Sequence, residues 1–305
     1  MDYRRLAPDP ILRDFVEAIW VQDLPGASRQ RPSWVLPTGT VELLFQYRDP
    51  LAHVEKDGDR SMPLSYVTGQ RTRPVLPVAT GDTGIVLVSL FPWTLPRLFR
   101  APPSELVDGY TDLRLLLPRD RLDRLEESLS RAGASARVEL VQALLADLLR
   151  RERPDARIRR ATERLAKRDA PPGISGLASE LGWSPRTFRR RFHDEVGIAP
   201  KTFQRIMRFQ HALRLGRAGR GWSRVAADCH YSDQAHLIRE MREFSGRTPG
   251  RLPGELRRPL DLFNGPDASR FFSTVYQESV PQRARTQATS SRNSPSCPSA
   301  TRNPT

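Results

Sequence analysis

Two copies of one pattern between Ile174 and Leu252 constrain the fold of this chain more than any other feature of its sequence. The first copy, from Leu177 to Pro200, reads LASELGWSPRTFRRRFHDEVGIAP, and the second, from Val225 to Pro249, reads VAADCHYSDQAHLIREMREFSGRTP. The copies align at an offset of 48 residues as far as Ser232 and at an offset of 49 beyond it. Because solenoids need three or more repeats, two copies predict a pair of similar small modules.

Each copy carries the signals of two short helices separated by a tight turn. In the first copy, Gly182 stands where a helix ends in a left-handed residue. Ser184 and Pro185 then suit the N-cap and the first position of the next helix. In the second copy, His230 occupies the turn and Ser232 is the predicted N-cap. The pattern therefore predicts two helix-turn-helix units.

A long helix from Pro200 to about Ala218 is predicted to join the two units. Its apolar residues, from Phe203 to Leu213, fall at helical spacing and are predicted to be buried. Such a helix would hold the second helices of the two units rigidly apart. If they lie about one turn of DNA apart, roughly 34 Å, a single chain can enter two successive major grooves.

The second helix of each unit has an outer face suited to DNA. In the first unit, Phe188 and Phe192 lie one turn apart and face the core, which puts the neighbouring arginines on the opposite side. Alone, such a row of arginines would equally fit a solvated helix face. Arg can read guanine bidentately or hold phosphates, and Gln can pair with adenine. The predicted DNA-contacting residues are Arg186, Thr187, Arg189, Arg190, Ser232, Gln234, Ala235, His236 and Arg239.

The positive charge of the chain is concentrated around these units. The formal net charge is +14, which indicates an anionic partner such as nucleic acid or a membrane surface. Between Arg157 and Arg258 there are 23 Lys and Arg against 10 Asp and Glu, a net charge of +13. The placement of the charge therefore favours nucleic acid, bound by the repeated modules.

The repeated segment resembles the DNA-binding domain of AraC/XylS-type bacterial transcription regulators. The resemblance rests on LASELGWSPRTFRRRF followed by GIAPKTF, and on VAADCHYSDQAHLIREM followed by SGRTP. It implies a sequence-specific, double-stranded promoter DNA-binding regulator whose two reading helices contact bases. Two residues depart from the family pattern, His230 in place of Gly and Met241 in place of Phe.

The first 110 residues carry mostly strand signals. Ile11 to Trp20 is predicted to form an amphipathic helix, followed by a strand within Val35 to Tyr47 and a buried central strand within Gly84 to Trp93. Short strands are predicted at Val67 to Gly69 and Val75 to Ala79. The pattern indicates a small β barrel or sandwich. Glu42 stands out in it as a carboxylate between apolar strand residues, on the wet face or with a role of its own.

This amino-terminal region resembles the amino-terminal domain of one AraC subgroup, on VLPTGTVELLF, GIVLVSLFPW and SELVD. In the wider family such a domain binds a small effector, forms dimers, or does both. The resemblance therefore implies an effector and a homodimer as expectations, beside a monomer, and RNA polymerase as a further partner.

We predict an α+β multidomain chain with four parts. A β-rich sensor or dimerisation domain (1–110) is followed by a helical connector (111–152) of one short and two longer helices. An all-α double helix-turn-helix domain (155–256) precedes a carboxyl-terminal extension (257–305) that is disordered from about residue 281, since it becomes almost free of apolar residues.

Several function classes fit the sequence poorly. The two cysteines do not form a disulfide framework, and the chain lacks a signal peptide and an apolar run of about 18 residues, so a cytoplasmic protein without a membrane partner is predicted. No catalytic set, cofactor motif or metal-ligand spacing is found, which predicts a protein that is not an enzyme. Residues 1–150 contain no Cys, which argues against a repair alkyltransferase. A nonspecific or architectural DNA-binding protein is the remaining alternative.

Overall fold

The structure is a computed structural model that describes residues 2–24, 34–55, 58–167 and 173–251. The predicted carboxyl-terminal extension (257–305), which includes Cys297, lies outside the described residues.

The amino-terminal region consists of two open antiparallel sheets. Their strands are β1 (Asp2–Leu6), β2 (Val16–Leu24), β3 (Val41–Gln46), β4 (Leu51–Glu55), β5 (Gly58–Ser61), β6 (Ser65–Thr68), β7 (Pro77–Ala79), β8 (Thr83–Leu90) and β9 (Tyr110–Asp112). The larger sheet has the strand order β1-β2-β8-β3-β6-β9, and the smaller sheet has the order β5-β4-β7. The β-rich prediction is confirmed, but within the described residues the sheets do not close into a barrel.

The larger sheet is covered on both faces. On one face, Val41, Leu43 and Phe45 pack with the apolar side chains of two helices from the predicted connector. On the other face, Leu44 packs with Leu51 and Met62 at the smaller sheet. The predicted central strand is confirmed as β8, which pairs with both β2 and β3 and is buried along its whole length.

The helix predicted from Ile11 to Trp20 is wrong. Only a short 3-10 helix forms there (Pro10–Leu12), and the chain then enters strand β2. Because β2 is buried on both faces, its apolar residues show no two-residue alternation, and by chance they match helical spacing. Pairing with β1 and β8 decides the outcome, while Ile11, an anchor of the supposed apolar stripe, is 62% exposed.

The rest of the described chain is helical. Its helices are α1 (Leu95–Phe99), α2 (Arg119–Arg131), α3 (Ala134–Leu149), α4 (Ala156–Ala166), α5 (Ile174–Glu180), α6 (Pro185–Val196), α7 (Pro200–Arg217), α8 (Trp222–Asp228) and α9 (Gln234–Ser245). The pairs α5–α6 and α8–α9 are the two predicted helix-turn-helix units, and α7 is the predicted joining helix. The connector prediction is also met by a 3-10 helix (Leu113–Leu115) and the longer α2 and α3.

A second hydrophobic core runs through the helical domain and reaches into the β-rich region. It contains Phe192 of α6 and Phe203 of α7, both fully buried, together with Leu36 and Trp93 from the amino-terminal region. The two regions therefore share a core, and the first helix-turn-helix unit lies against the sheet domain.

Candidate nucleic-acid interface

The first unit positions α6 by a regular start and an aromatic core. The backbone N–H of Thr187 donates to Ser184 Oγ at 3.1 Å, and Pro185 occupies the first turn, as predicted. Phe188 and Phe192 are both fully buried and pack edge to face, with ring centroids 5.7 Å apart. Aromatic contacts of this geometry fix the rotation of a helix about its axis. The opposite face of α6 is thereby held toward solvent.

That outer face is basic. Arg186, Arg189 and Arg190 are exposed, and Arg191 beside them is exposed as well. Within the part of the chain that the structure describes, no hydrogen bond or ion pair holds these four guanidinium groups. Thr187 is half-buried, and its hydroxyl lies 2.9 Å from Ser184 Oγ. The face therefore offers several unengaged donors on one rigid helix, which suits guanine edges or phosphates.

The second unit starts its reading helix one residue later than predicted. The N-cap of α9 is Asp233, whose Oδ1 accepts from the backbone N–H of His236 at 2.6 Å. That hydrogen bond holds the pKa of Asp233 below its usual range. The prediction of Ser232 as the cap is wrong, because the second copy has an extra residue in its turn. Ser184 plus 49, the offset of the following residues, is Asp233.

The outer face of α9 is less basic than that of α6. Gln234, Ala235 and Arg239 are exposed, and so is Ser232 in the preceding turn. Gln234 accepts at Oε1 from Ser223 Oγ at 2.9 Å, so its amide N–H groups point away from that contact. The face presents an amide, a methyl group and one guanidinium, which are the groups that read adenine, the thymine methyl and guanine.

His236 differs from the other predicted contact residues because it is partly turned into the protein. Its Nδ1 lies 3.1 Å from Ser232 Oγ, and its ring packs edge to face on Tyr231 at 5.2 Å between centroids. Its Nε2 lies 3.9 Å from a carboxylate oxygen of Glu240. The prediction that His236 points outward therefore holds only for part of the ring.

The turns of the two units share a left-handed residue. Gly182 has a φ of +71° and His230 has a φ of +57°, as the alignment of the copies predicts. Gly adopts the left-handed backbone conformation without strain, whereas the same conformation costs energy for a residue with a Cβ. The second unit therefore forms the same turn under backbone strain.

A buried carboxylate, which the sequence reading overlooked, joins α9 to α7. Glu240 is 1% exposed and accepts from Arg205 Nε at 3.0 Å, from Arg208 Nε at 3.0 Å and from the Tyr231 hydroxyl at 2.9 Å. A second hydrogen bond comes from Arg208 Nη2 at 2.6 Å. Glu240 lies three residues after Leu237 and four before Phe244, on the inward face of α9, and this spacing was the available signal.

The ionisation of Glu240 follows from these partners. Burial alone would raise the pKa of this carboxyl, but the hydrogen bonds and charges of Arg208 and Arg205 and the hydrogen bond from Tyr231 hold its pKa below the ordinary value. Burial, together with the nearby Glu240 charge, raises the pKa of Tyr231, which stays a neutral donor. The second unit is thus fastened by a charged network.

The amino-terminal region contacts the first unit away from its basic face. Arg97 Nη2 donates to both carboxylate oxygens of Glu195 at 3.0 and 2.9 Å, at the end of α6. Gly197 follows α6 directly, and a Cβ there would lie 2.8 Å from the Pro103 carbonyl oxygen. On α7, Gln210 donates to the carbonyl oxygen of Pro37. These contacts leave the arginines of α6 exposed.

Within the described ranges, no helix is long and apolar enough to cross a membrane. In the same ranges, no group of three or more His, Cys, Asp or Glu side chains is arranged to hold a metal ion.

Both regions of the chain match known protein families. Residues 177–253 match a helix-turn-helix domain family, and residues 4–112 match a domain of unknown function, DUF6597. A search of curated proteins finds no match to the chain. Among solved structures, similar chains include an apo variant of ToxT from Vibrio cholerae strain SCE256, at 9% identity, a TM-score of 0.42 and coverage of 76% of this chain and 95% of that chain.

A further solved structure, ToxT from Vibrio cholerae O395, is 7% identical with a TM-score of 0.40 and covers 78% of this chain and 96% of that chain. Another is ToxT from strain SCE256 with a bound unsaturated fatty acid, 7% identical with a TM-score of 0.40, covering 76% of this chain and 92% of that chain. The matched families and the paired helix-turn-helix units identify a DNA-binding transcription regulator with an AraC-type helix-turn-helix domain behind a DUF6597 domain.

Proposed function

We propose that this regulator binds promoter DNA sequence-specifically by placing α6 and α9 in successive major grooves. The observation that carries the proposal is the pair of exposed reading faces on one connected helical body. Each face is backed by buried residues of its own helix, so neither can rotate its arginines or amide away from DNA without breaking the core.

The joining helix α7 fixes both reading helices. Phe203 of α7 packs edge to face on Phe192 of α6, with ring centroids 5.7 Å apart. At the other unit, Phe209 packs on Phe244 at 5.3 Å, and Arg208 bonds to Glu240. A spacer held at both ends preserves the separation of two helices, and this is what reading two major grooves requires.

Within this proposal the contact residues divide into two classes. Arg186, Arg189 and Arg190 on α6, with Gln234 and Arg239 on α9, are proposed to reach base edges. Thr187, Ser232, Ala235 and His236 lie at or near the helix starts, where short polar side chains and backbone N–H groups meet phosphates and the methyl of Ala235 can meet thymine.

We also propose that the amino-terminal domain modulates DNA binding. The support is its shared core with α6 and α7 and the ion pair between Arg97 and Glu195. A small effector, a homodimer and contact with RNA polymerase belong to this proposal. We further propose that the chain divides into the four parts 1–110, 111–152, 155–256 and 257–305.

The test is selection of preferred sites from random duplex DNA by the full-length chain at physiological salt. Two conserved blocks about one helical turn apart are expected, with a preference over random DNA of about 1,000-fold or more. A single block would contradict base reading by α9, and the absence of any preference would favour the alternative, an architectural DNA-binding protein. Binding to random DNA that falls steeply with salt is the behaviour of that alternative.

A further inference from the structure

One hydrogen bond in the second helix-turn-helix unit joins the starts of its two helices. Ser223 is the second residue of α8, and its hydroxyl donates to Gln234 Oε1 at 2.9 Å. Gln234 is the first residue of the reading helix α9, directly after the Asp233 N-cap. Ser223 and Gln234 are both exposed. The hydrogen bond therefore lies at the surface, beside the residues of α9 that are proposed to contact DNA.

This hydrogen bond restrains a side chain that is otherwise flexible. An exposed Gln has several rotatable side-chain bonds, and holding it in one position costs conformational entropy. Here the hydroxyl of Ser223 holds the amide of Gln234 in the protein alone, without DNA. A group that is ordered before binding loses less entropy when the partner arrives. The restraint therefore favours whichever base fits the amide in this orientation.

The hydrogen bond also determines which groups of the amide remain available. A Gln amide has two lone pairs on its oxygen and two N–H donors on its nitrogen. Ser223 occupies one lone pair of Gln234, which leaves one acceptor position and both donors. Pairing with adenine uses one acceptor and one donor of the amide, for the N6 and N7 positions of the base. The restrained amide thus retains the complete set of groups that reads adenine.

The charged neighbours of this pair are engaged elsewhere. Arg224, next to Ser223, has its Nε 3.1 Å from Asp228 Oδ1. Asp233, next to Gln234, accepts from the backbone N–H of His236 at 2.6 Å. Neither contact draws on the hydroxyl of Ser223 or the amide of Gln234, so the hydrogen bond between them stands apart from the ion pairs of the unit.

The first unit has the equivalent hydroxyl but lacks the amide. The residue 48 positions before Ser223 is Ser175, which is also exposed and is also the second residue of its helix, α5. The residue 49 positions before Gln234 is Pro185, whose side chain has no hydrogen-bonding group. The second unit alone can therefore form this hydrogen bond, and Ser175 provides a matched control for Ser223.

We propose that Ser223 is a positioning residue for base recognition. Its hydroxyl holds the amide of Gln234 in the orientation that pairs with adenine in the part of the DNA site read by α9, which we call the α9 block. Ser223 acts through Gln234 and contributes to base preference rather than to overall affinity. This role rests on the proposed function, because Gln234 reaches a base only if α9 enters a major groove.

Loss of the hydroxyl should weaken discrimination without removing it. In Ser223→Ala the amide of Gln234 still reaches adenine, but it is free to rotate and to donate to guanine O6 or thymine O4 instead. One ordinary intramolecular hydrogen bond corresponds to about a 5-fold change in an equilibrium constant. The preference for adenine at one position of the α9 block is therefore expected to fall about 5-fold.

The test is competition binding by the full-length chain at physiological salt. The duplexes carry the site selected by the wild type, with each base pair of the α9 block replaced in turn. Ser223→Ala should lower the adenine preference at one position about 5-fold, and Ser223→Thr, which keeps the hydroxyl, should retain it. Ser175→Ala should leave every preference in the α9 block unchanged. Both serines are exposed and Ala favours helices, so the variants should fold.

A double-mutant cycle separates positioning from a direct contact of Ser223 with DNA. Gln234→Ala should abolish the adenine preference, and adding Ser223→Ala to it should change neither base preference nor affinity. A uniform loss of affinity across all duplexes, additive with Gln234→Ala, would assign Ser223 to phosphate contact and overturn the proposal. A preference for guanine or thymine at the position that responds to Gln234→Ala would overturn the orientation assigned to the amide.

Failure of the proposed function gives a different result. A wild-type chain that selects no α9 block contradicts base reading by α9, and the role of Ser223 with it. An α9 block that changes with Gln234→Ala but not with Ser223→Ala contradicts the positioning role alone.

Discussion

Aromatic side chains join the reading helix to α7 in both helix-turn-helix units, and the second unit adds a buried carboxylate to this contact. Phe192 packs on Phe203 in the first unit, and Glu240 binds Arg205 and Arg208 in the second. The residue at the position of Glu240 in the first copy, 49 residues earlier, is the exposed Arg191. The same backbone position is therefore exposed in one unit and buried in the core in the other.

The two units also differ in which parts of the protein they contact. Two residues of the amino-terminal domain, Arg97 and Pro103, contact the end of α6. The described contacts of α9 come mainly from α7 and α8. In this repeated fold, one unit contacts the amino-terminal domain, whereas the other is held mainly by contacts within the helical domain. We expect regulation to act through the first unit and acid sensitivity to arise in the second.

The largest expected difference concerns the buried carboxylate. Glu240→Gln should lower the free energy of unfolding by about 3 kcal/mol, because the half-buried Arg208 loses its counter-charge and Arg205 keeps only Glu243. Arg191→Gln, the matched change at the equivalent position of the first unit, should alter it by less than about 0.5 kcal/mol. Denaturant unfolding of both variants measures this, and equal effects would mean that the network does not stabilise the second unit.

The same carboxylate makes stability depend on pH. Because the pKa of Glu240 is lowered in the folded protein, its contribution is complete above the ordinary Glu pKa of 4.5 and is lost as pH falls through the lower folded-state pKa. We expect the stability gap between the wild type and Glu240→Gln to narrow below pH 4.5. Unfolding curves at pH 7 and at about pH 4 test this. A constant gap would assign the effect of the variant to packing.

The coupling of the first unit to the amino-terminal domain can be compared at two equivalent glycines. Gly197 and Gly246 both end a reading helix with positive φ, at +89° and +69°. An alanine Cβ meets the Pro103 backbone at 2.8 Å in the first case, but its nearest contact in the second is Pro74 at 3.7 Å. Gly197→Ala should therefore cost about 3 kcal/mol and Gly246→Ala about 1 kcal/mol of stability.

Thermal unfolding of the two variants measures these costs. Equal losses would show that the close approach of Pro103 to α6 does not constrain the protein in solution. A larger loss for Gly246→Ala would reverse the comparison and place the tighter restraint on the second unit.

DNA recognition should be divided between the units. Arg190→Ala is expected to weaken specific binding by about 2 kcal/mol and to relax base preference in one block of the selected site. Arg239→Ala should do the same in the other block. Competition binding with duplexes altered in one block at a time reads both effects. A uniform loss across all sequences would assign the residue to phosphate contact instead.

Sequence reasoning predicted the local features of the fold and missed those that depend on distant partners. Gly182, Ser184 and Pro185 predicted the first turn and helix start because their effects act within a few residues. The strand β2 was mistaken for a helix because pairing with β8 outweighs periodicity in a doubly buried segment. The residue 49 positions after the Ser184 cap is Asp233, the observed cap of α9, whereas the 48-residue offset used for the prediction gives Ser232.

For the candidate interface, the sequence likewise predicted the exposed residues and missed the buried contacts. Helical spacing predicted the exposed residues of α6 and α9, and their exposure agrees with the prediction for all but Thr187 and His236. The Glu240 network needs α9 to return beside α7. The contact of the amino-terminal domain joins residues about 100 positions apart, such as Arg97 and Glu195. Neither pairing leaves a trace in local sequence patterns, since one chain alone does not specify which surfaces meet.

The smallest expected difference lies in the turns. His230 holds a φ of +57° that Gly182 adopts in the first unit at +71°. His230→Gly should therefore raise stability by about 1 kcal/mol, and Gly182→Ala, whose Cβ would meet nothing within 4 Å, should lower it by about as much. Denaturant unfolding of both variants decides the point. If His230→Gly instead destabilises the protein, the contacts of the imidazole outweigh the strain. The turn of the second unit would then depend on side-chain packing rather than on backbone freedom, just as its core depends on a carboxylate in addition to aromatic contacts.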